Sequence, residues 1–354
     1  AAKLVASAII TVGIVYTIQK GGLKFVPDGG DWASVRWWTL PLYVLTLVAV
    51  YYFRTGRWRY LLRGFADVPK RRIIAVSCVG YAAILMMPFR LGEIVRPYMI
   101  REKGRISMAA ATGSVVAERV VDGLFLSVVL AVALLTVPTL DPLPATVVGL
   151  PISVRSVRMS GFTMLGVFTV AFLVIAVFYV ARAWAHRVTF AVVGRVSRKL
   201  AEKLTQLFEK FADGLQFLGR RRDAFGFLVE TSLYWTMNAL GIWLLAWGCG
   251  VVHANGSGIT FGEACALMGM LGVTILIPGP PGLLGVFQAG IYAGMTMYFP
   301  TRVVIGPGAA FVFLLYAVQV LWTLSAGGYF LVTDRRNLRA LEEAEGIIPA
   351  RAEA

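Results

Sequence analysis

The chain is expected to be an all-α, polytopic membrane protein with about six full transmembrane helices and two re-entrant helical hairpins entering from opposite sides. Three observations predict this. Of its 354 residues, 58% are hydrophobic and only 15% charged, and mean hydropathy is +0.73. Soluble domains do not carry that balance. Several apolar runs exceed the roughly 20 residues that span a bilayer as a helix. Two runs are broken near their centres by proline, glycine and charge, where backbone exposed to lipid cannot be irregular.

In chain order, residues 4–18 form a first span. They resemble a signal sequence in length, but no small-residue cleavage pattern follows Gln19, so a membrane helix is expected. Residues 19–38 are a loop rich in turn formers, ending in the interfacial aromatics Trp32, Trp37 and Trp38. Residues 39–53 form a second span. Residues 54–72 carry seven basic side chains against one acid, Asp67, which places this loop, and therefore the N-terminus, in the cytoplasm.

An apolar run, residues 73–87, then leads into Pro88, Arg90, Gly92, Glu93, Arg96 and Pro97. A full crossing here would put Arg101, Lys103 and Arg105 on a short outer loop, against the charge rule. A hairpin over about residues 73–105 keeps them inside. The alternative is a spanning helix that ends at Met87 with its charges among headgroups. Residues 107–137 form a long span, 138–160 an external loop and 161–181 a return. Residues 182–223 carry ten basic side chains against four acids. Within them Val196, Leu200, Leu204, Leu207, Phe208, Phe211, Leu215 and Leu218 recur at helical steps, so an amphipathic helix over about 188–218 is expected on the inner leaflet, with a helix docking a partner protein as the lesser reading.

Residues 224–252 cross outward. The loop 253–262 has no basic residue. A second hairpin, about 262–300, is entered from outside, with its turn at Pro278, Gly279, Pro280, Pro281, Gly282 and Gly285, a composition no helix interior accepts. Residues 303–332 cross inward, closing a single membrane domain over 1–334, and 335–354 form a cytoplasmic tail. Paired broken segments in the two halves point to a transport site near the midplane.

The candidate site residues are charges that membrane depth makes costly. Glu118 and Asp122 are four apart and share a helix face beside Arg119. Glu118 lies roughly 16 Å into its span at 1.5 Å per residue. Arg90, Glu93 and Arg96 of the first hairpin are their natural partners. The network either pins the hairpin or offers a guanidinium to a lipid phosphate. Gln288 sits on the return limb of the second hairpin. For Gln288, Glu230 and Gln319 a helix–helix hydrogen bond is the simpler role. Glu263 opens the second hairpin and is expected to face water.

Other chemistries find no pattern. Cys78, Cys249 and Cys265 lie in apolar segments at unrelated spacing, and His186 and His253 are isolated, so neither disulfides nor a metal are indicated. No Walker motif, dinucleotide loop or nucleophile–base set is present, so no cofactor is expected and any transport is passive or gradient-driven. The formal charge of +15 fits inner loops against anionic lipid, with no basic module of a nucleic-acid binder.

The sequence from Pro88 to Arg96 (Pro-Phe-Arg-Leu-Gly-Glu-Ile-Val-Arg), the sequence Glu118-Arg119-Val120-Val121-Asp122, and the stretch Pro278-Gly279-Pro280-Pro281-Gly282 through Gln288 resemble, in this order and spacing, the lysylphosphatidylglycerol synthase transmembrane region. This is the flippase-like domain of bacterial multiple peptide resistance factors and stand-alone relatives. The resemblance covers nearly the whole chain. It implies movement of a lipid or lipid-linked headgroup between leaflets of the bacterial inner membrane, with no enzymatic activity of the chain itself. Gln288 stands where relatives often carry Glu, which removes the titratable group a proton-coupled role would use. On this reading Arg90 and Arg96 attract an anionic headgroup, Glu118, Arg119 and Asp122 hold the hairpin, and the turn at 278–285 is the opposing gate. A non-transporting scaffold of an envelope lipid or glycan pathway is the alternative, with a protein partner. A lipid-modifying enzyme using Glu118 or Asp122 as base ranks below it, and a homodimer is allowed.

Overall fold

The computed structural model describes residues 23–87, 92–102, 104–147, 152–195, 197–213, 219–276 and 281–333. The expectations for the span 4–18, for Pro88 and Arg90, for Pro278, Gly279 and Pro280, and for the tail 335–354 lie outside these described residues.

Every regular element among the described residues is helical. These are α1 (Thr39–Gly56), α2 (Trp58–Leu62), α3 (Lys70–Met86), α4 (Val95–Ile100), α5 (Met108–Thr136), α6 (Val154–Val180) and α7 (Arg182–Val192). They continue with α8 (Arg198–Asp213), α9 (Arg221–Gly248), α10 (Phe261–Ile275), α11 (Val286–Thr296), α12 (Thr301–Ile305) and α13 (Pro307–Thr333). Three of them, α5, α6 and α13, are both long and apolar enough to cross a membrane.

Two antiparallel helical hairpins organise the centre. In the first, the chain leaves α3 and runs back along it. Gly92 lies against the backbone of Ala83 and Ile84, Arg96 covers Gly80, and Arg72 pairs with Glu102. Residue 102 therefore ends level with residue 72, beside the start of α5. In the second, α11 returns along α10, with Gly290 against Thr274 and Gly294 against Leu267. That hairpin opens at the other end of α5: Gly262 faces Val137, and the Leu140 amide donates to the Met297 carbonyl at 2.8 Å. The 3-10 turn Pro281–Leu283 at its tip packs against α3.

The turn has a physical cause in its residues. Gly282 and Gly285 take φ of +72° and +87°, a region that costs glycine nothing. The Gly282 carbonyl accepts from the Tyr316 hydroxyl at 2.9 Å, and the Gly285 amide donates to Gln288 Oε1 at 2.7 Å.

The apolar core divides into two clusters. One gathers Leu126, Leu130 and Leu134 of α5 with α9, α10, α11 and α13. The other gathers Ala111, Val115 and Ala117 of α5 with α2, α3 and α4. The charged run 118–122 of α5 falls between them, so the polar site sits where the two apolar bodies meet.

Several boundaries differ from expectation. α1 runs on through Arg54 to Gly56 and α2 follows directly, because Trp58, Leu61 and Leu62 are fully buried. The basic stretch 54–72 is thus not a plain cytoplasmic loop. α6 begins at Val154 rather than 161. The amphipathic stretch is two helices, α7 and α8, and α8 packs on α5 and α6, with Ala201 and Thr205 buried. The last span is interrupted at Gly306 between α12 and α13.

Glu263 does not face water. It is buried and closes a capping box, accepting from the Thr260 amide at 2.7 Å while its own amide donates to Thr260 Oγ1 at 3.3 Å. His253 Nε2 lies 3.1 Å from the same carboxylate. Thr260→Ala removes one half of this box and is expected to cost about 1 kcal/mol, seen as a small fall in Tm in detergent.

Candidate functional site

The site is built on α5. Glu118 and Asp122 project from one face, and two arginines from different elements reach them. Arg57 comes from the α1–α2 junction. It donates to both oxygens of Asp122 at 2.6 Å each, to Glu118 Oε1 at 3.2 Å and to Thr231 Oγ1 at 3.1 Å. Arg96 comes from the first hairpin. Its two terminal nitrogens approach Glu118 Oε2 at 3.1 Å and Oε1 at 3.4 Å.

Both arginines are fully buried. Such charges persist only when paired and hydrogen-bonded. Aromatic faces complete the shell. Arg96 lies 4.3 Å from the Trp58 ring and 5.0 Å from Tyr81, and Arg57 lies 4.9 Å from Tyr234. Trp58 and Trp235 then donate to Ser114 and to Asp122 Oδ1 at 3.0 and 3.3 Å. This inner layer is electrically balanced, two guanidinium groups against two carboxylates.

A second layer faces a central cavity of about 460 Å³. Its head is formed by Arg54, Arg119, Glu93 and the edge of Asp122. Arg119 is 27% exposed and makes only long contacts, 3.7 Å to Glu118 and 3.9 Å to Asp122. Arg54 makes no ion pair with any described residue. Its guanidinium is held instead over the Tyr81 ring at 4.0 Å, with Tyr234 at 5.7 Å, an arrangement that holds a cation without neutralising it. Below the head the cavity is apolar, walled by Leu47, Leu126, Leu271, Ile275 and Phe287, with Asn238 and Gln319 as polar points. Gly282 and Leu283 of the second hairpin form part of its wall. A cavity of this size, apolar in body and cationic at one end, suits an amphiphile with an anionic head.

The structure brings Arg96, Glu118, Arg119 and Asp122 together as the sequence pattern indicates, and places Glu93 on the same cavity. Arg96 is locked in the inner layer and does not line the cavity. Gln288 stands apart: it is buried and used up in the turn at Gly285, and it does not reach the cavity. Glu230 and Gln319 make the helix–helix bonds expected of them, Glu230 with Arg59 and Tyr60, Gln319 with the Tyr43 hydroxyl at 3.1 Å.

Arg54 and Arg57 were not legible as site residues, because a run of seven basic side chains reads equally well as a charged loop. The available signal was their spacing of three, which puts both on one helix face. Among the described residues no group of three His, Cys, Asp or Glu side chains converges to hold a metal.

Comparison with known sequences decides the family. The profile of the lysylphosphatidylglycerol synthase TM region matches residues 4–328. The chain belongs to this family. Two curated relatives match it. The chain is 28% identical over 305 residues to the glycosyltransferase AglD of Haloferax volcanii, covering 81% of this chain and 48% of that protein. It thus spans about half the length of that relative. It is 25% identical over 280 residues to a UPF0104 membrane protein of Methanothermobacter thermautotrophicus, covering 72% of this chain and 77% of that one. No solved structure matches the chain.

Proposed function

We propose that the chain binds a membrane lipid with an anionic headgroup in the central cavity and passes it between leaflets. One observation carries the reading: Arg54 stands at the cationic head of an apolar cavity without an acidic partner among the described residues. The inner layer pairs both its carboxylates with Arg57 and Arg96, so Arg54 and Arg119, set against Glu93, leave the head with a net positive charge for a ligand phosphate. The apolar body below takes the chains.

On this reading the two hairpins are re-entrant, entering from opposite faces with their tips near mid-membrane. Together with the span expected from sequence over residues 4–18, α1, α5, α6, α9 and α13 make six crossings. Both termini lie in the cytoplasm, and the host is the cytoplasmic membrane, bacterial or, as for the two relatives, archaeal. The chain carries no ATPase and no chemistry of its own; the headgroup moves past the charged layer and the gating turn at 281–285.

The test is leaflet transfer of fluorescent phosphatidylglycerol in reconstituted vesicles, read by quenching of the outer leaflet. Arg54→Ala is expected to lower the rate about tenfold or more, since a charge-assisted hydrogen bond contributes about 1.5–3 kcal/mol. Its Tm should fall only slightly, because the stacking on Tyr81 is lost but no ion pair is. Unchanged transfer in the variant overturns the reading.

A second reading, an accessory membrane module of a glycan pathway, draws on the match to about half of a protein named as a glycosyltransferase. It is favoured if the wild-type chain shows no transfer and copurifies with a sugar-transferring enzyme.

A further inference from the structure

A lipid that reaches a central cavity needs a way in from the bilayer. A groove of about 620 Å³ lies on the outside of the bundle between α6 and α10. Three side chains, Met164, Phe168 and Leu276, line both this groove and the central cavity. They are the partition between the two.

The partition is thin. A methyl group at Gly123 of α5, itself on the cavity wall, would lie 2.0 Å from the Phe168 ring, so the ring rests on helix backbone at the edge of the cavity and only the absence of a side chain at 123 gives it room. Leu276 is 47% exposed. The outer face of α6 is built for lipid: Val167 and Val170 are 60% and 61% exposed. Two groove hydroxyls, those deeper along α6, are satisfied within the helix, Ser160 on the Val157 carbonyl at 2.6 Å and Thr163 on Met159 at 3.1 Å, which lets them face hydrocarbon. At the far end stands the exposed Arg155, in the first turn of α6. Thirteen residues of helix separate it from Phe168, about 20 Å, the reach of one leaflet.

We propose that the α6–α10 groove is a lateral portal for a phosphate-bearing membrane lipid, with its headgroup at Arg155 and its chain against Val167, and with Phe168 as the gate into the central cavity. The proposal rests on the central-cavity reading above. It adds the leaflet and the side of the bundle from which the cavity fills. Phe168 swings between resting on Gly123 and lying along the groove; Met164 and Leu276 are flexible enough to follow.

The test is photocrosslinking in phosphatidylcholine vesicles containing a minor share of phosphatidylglycerol. A benzophenone side chain is placed in three single variants: at Thr163 in the groove, at Asn238 in the cavity, and at Leu173, which is exposed outside both. The expected result is phosphatidylglycerol enriched several-fold in adducts at 163 and 238 over those at 173. Arg155→Ala should remove the enrichment at 163. Phe168→Trp should slow labelling at 238 several-fold after phosphatidylglycerol is added, leaving 163 unchanged.

Enrichment at 238 without 163 overturns the portal and leaves the cavity reading standing. Enrichment at 163 without 238 makes the groove a surface lipid site and overturns the portal. Enrichment at neither position overturns both readings. Covalent dimers from 163 assign the groove to a second copy of the chain and overturn the portal.

Discussion

Arg57→Ala is expected to destabilise the protein by about 3–5 kcal/mol, the cost of removing one partner from a buried ion pair. Arg57 supplies the two shortest contacts of Asp122 and shares Glu118 with Arg96. Without it Asp122 keeps only the Trp235 indole and the distant Arg119. A carboxylate in that position has lost most of what replaced its water. The junction between α1, α5 and α9 should loosen, since Arg57 also bonds Thr231 of α9.

The measurement is thermal unfolding in detergent with hydrogen exchange on α5. A second variant separates lost contacts from stranded charge: Arg57→Met with Asp122→Asn removes both charges and leaves Glu118 its Arg96. Most of the stability should return, because replacing a whole buried pair with groups of similar shape is often neutral. If the double variant is as unstable as Arg57→Ala, the role of the pair is packing and the charge argument fails.

How the sequence disclosed some of this and hid the rest follows from the range of the signals. The hairpins were legible because proline and glycine inside an apolar run leave few backbone solutions, and the return of residue 102 beside residue 72 satisfies the charge rule. Glu118 and Asp122 were legible because spacing of four fixes a shared face. Arg57 was not. Its partners lie 61 and 65 residues away, and a basic run explains it locally without them. Glu263 carried its own signal, Thr260-x-x-Glu263, the capping-box spacing, yet position in an outer loop suggested water. For α8, period reveals a stripe but not what covers it: lipid and the α5–α6 surface demand the same residues.

Gly92→Ala is expected to do comparable damage by a different route. A Cβ built there falls 2.3 Å from the Ala83 carbonyl carbon and the Ile84 nitrogen, and 2.4 Å from the Ala83 oxygen. These are backbone atoms within α3, so no rotamer change makes room. The return limb must move outward as a body. One helical turn further on, that limb carries Arg96, whose stem already fills the space over Gly80. Displacement lengthens the contact to Glu118 and draws the guanidinium from between Trp58 and Tyr81. Overpacking alone costs about 1–3 kcal/mol, and the weakened ion pair adds to it. The same methyl at Gly29, with nothing within 4 Å, is the control and should leave Tm unchanged. The checks are Tm, lipid transfer, and hydrogen exchange along α3 and α4, all of which should shift for Gly92→Ala. If its stability matches Gly29→Ala, the two limbs do not touch through their backbones. Arg96 would then be held only by Glu118 and the Trp58 and Tyr81 rings, and the hairpin would need another reason to stay closed around the charged layer.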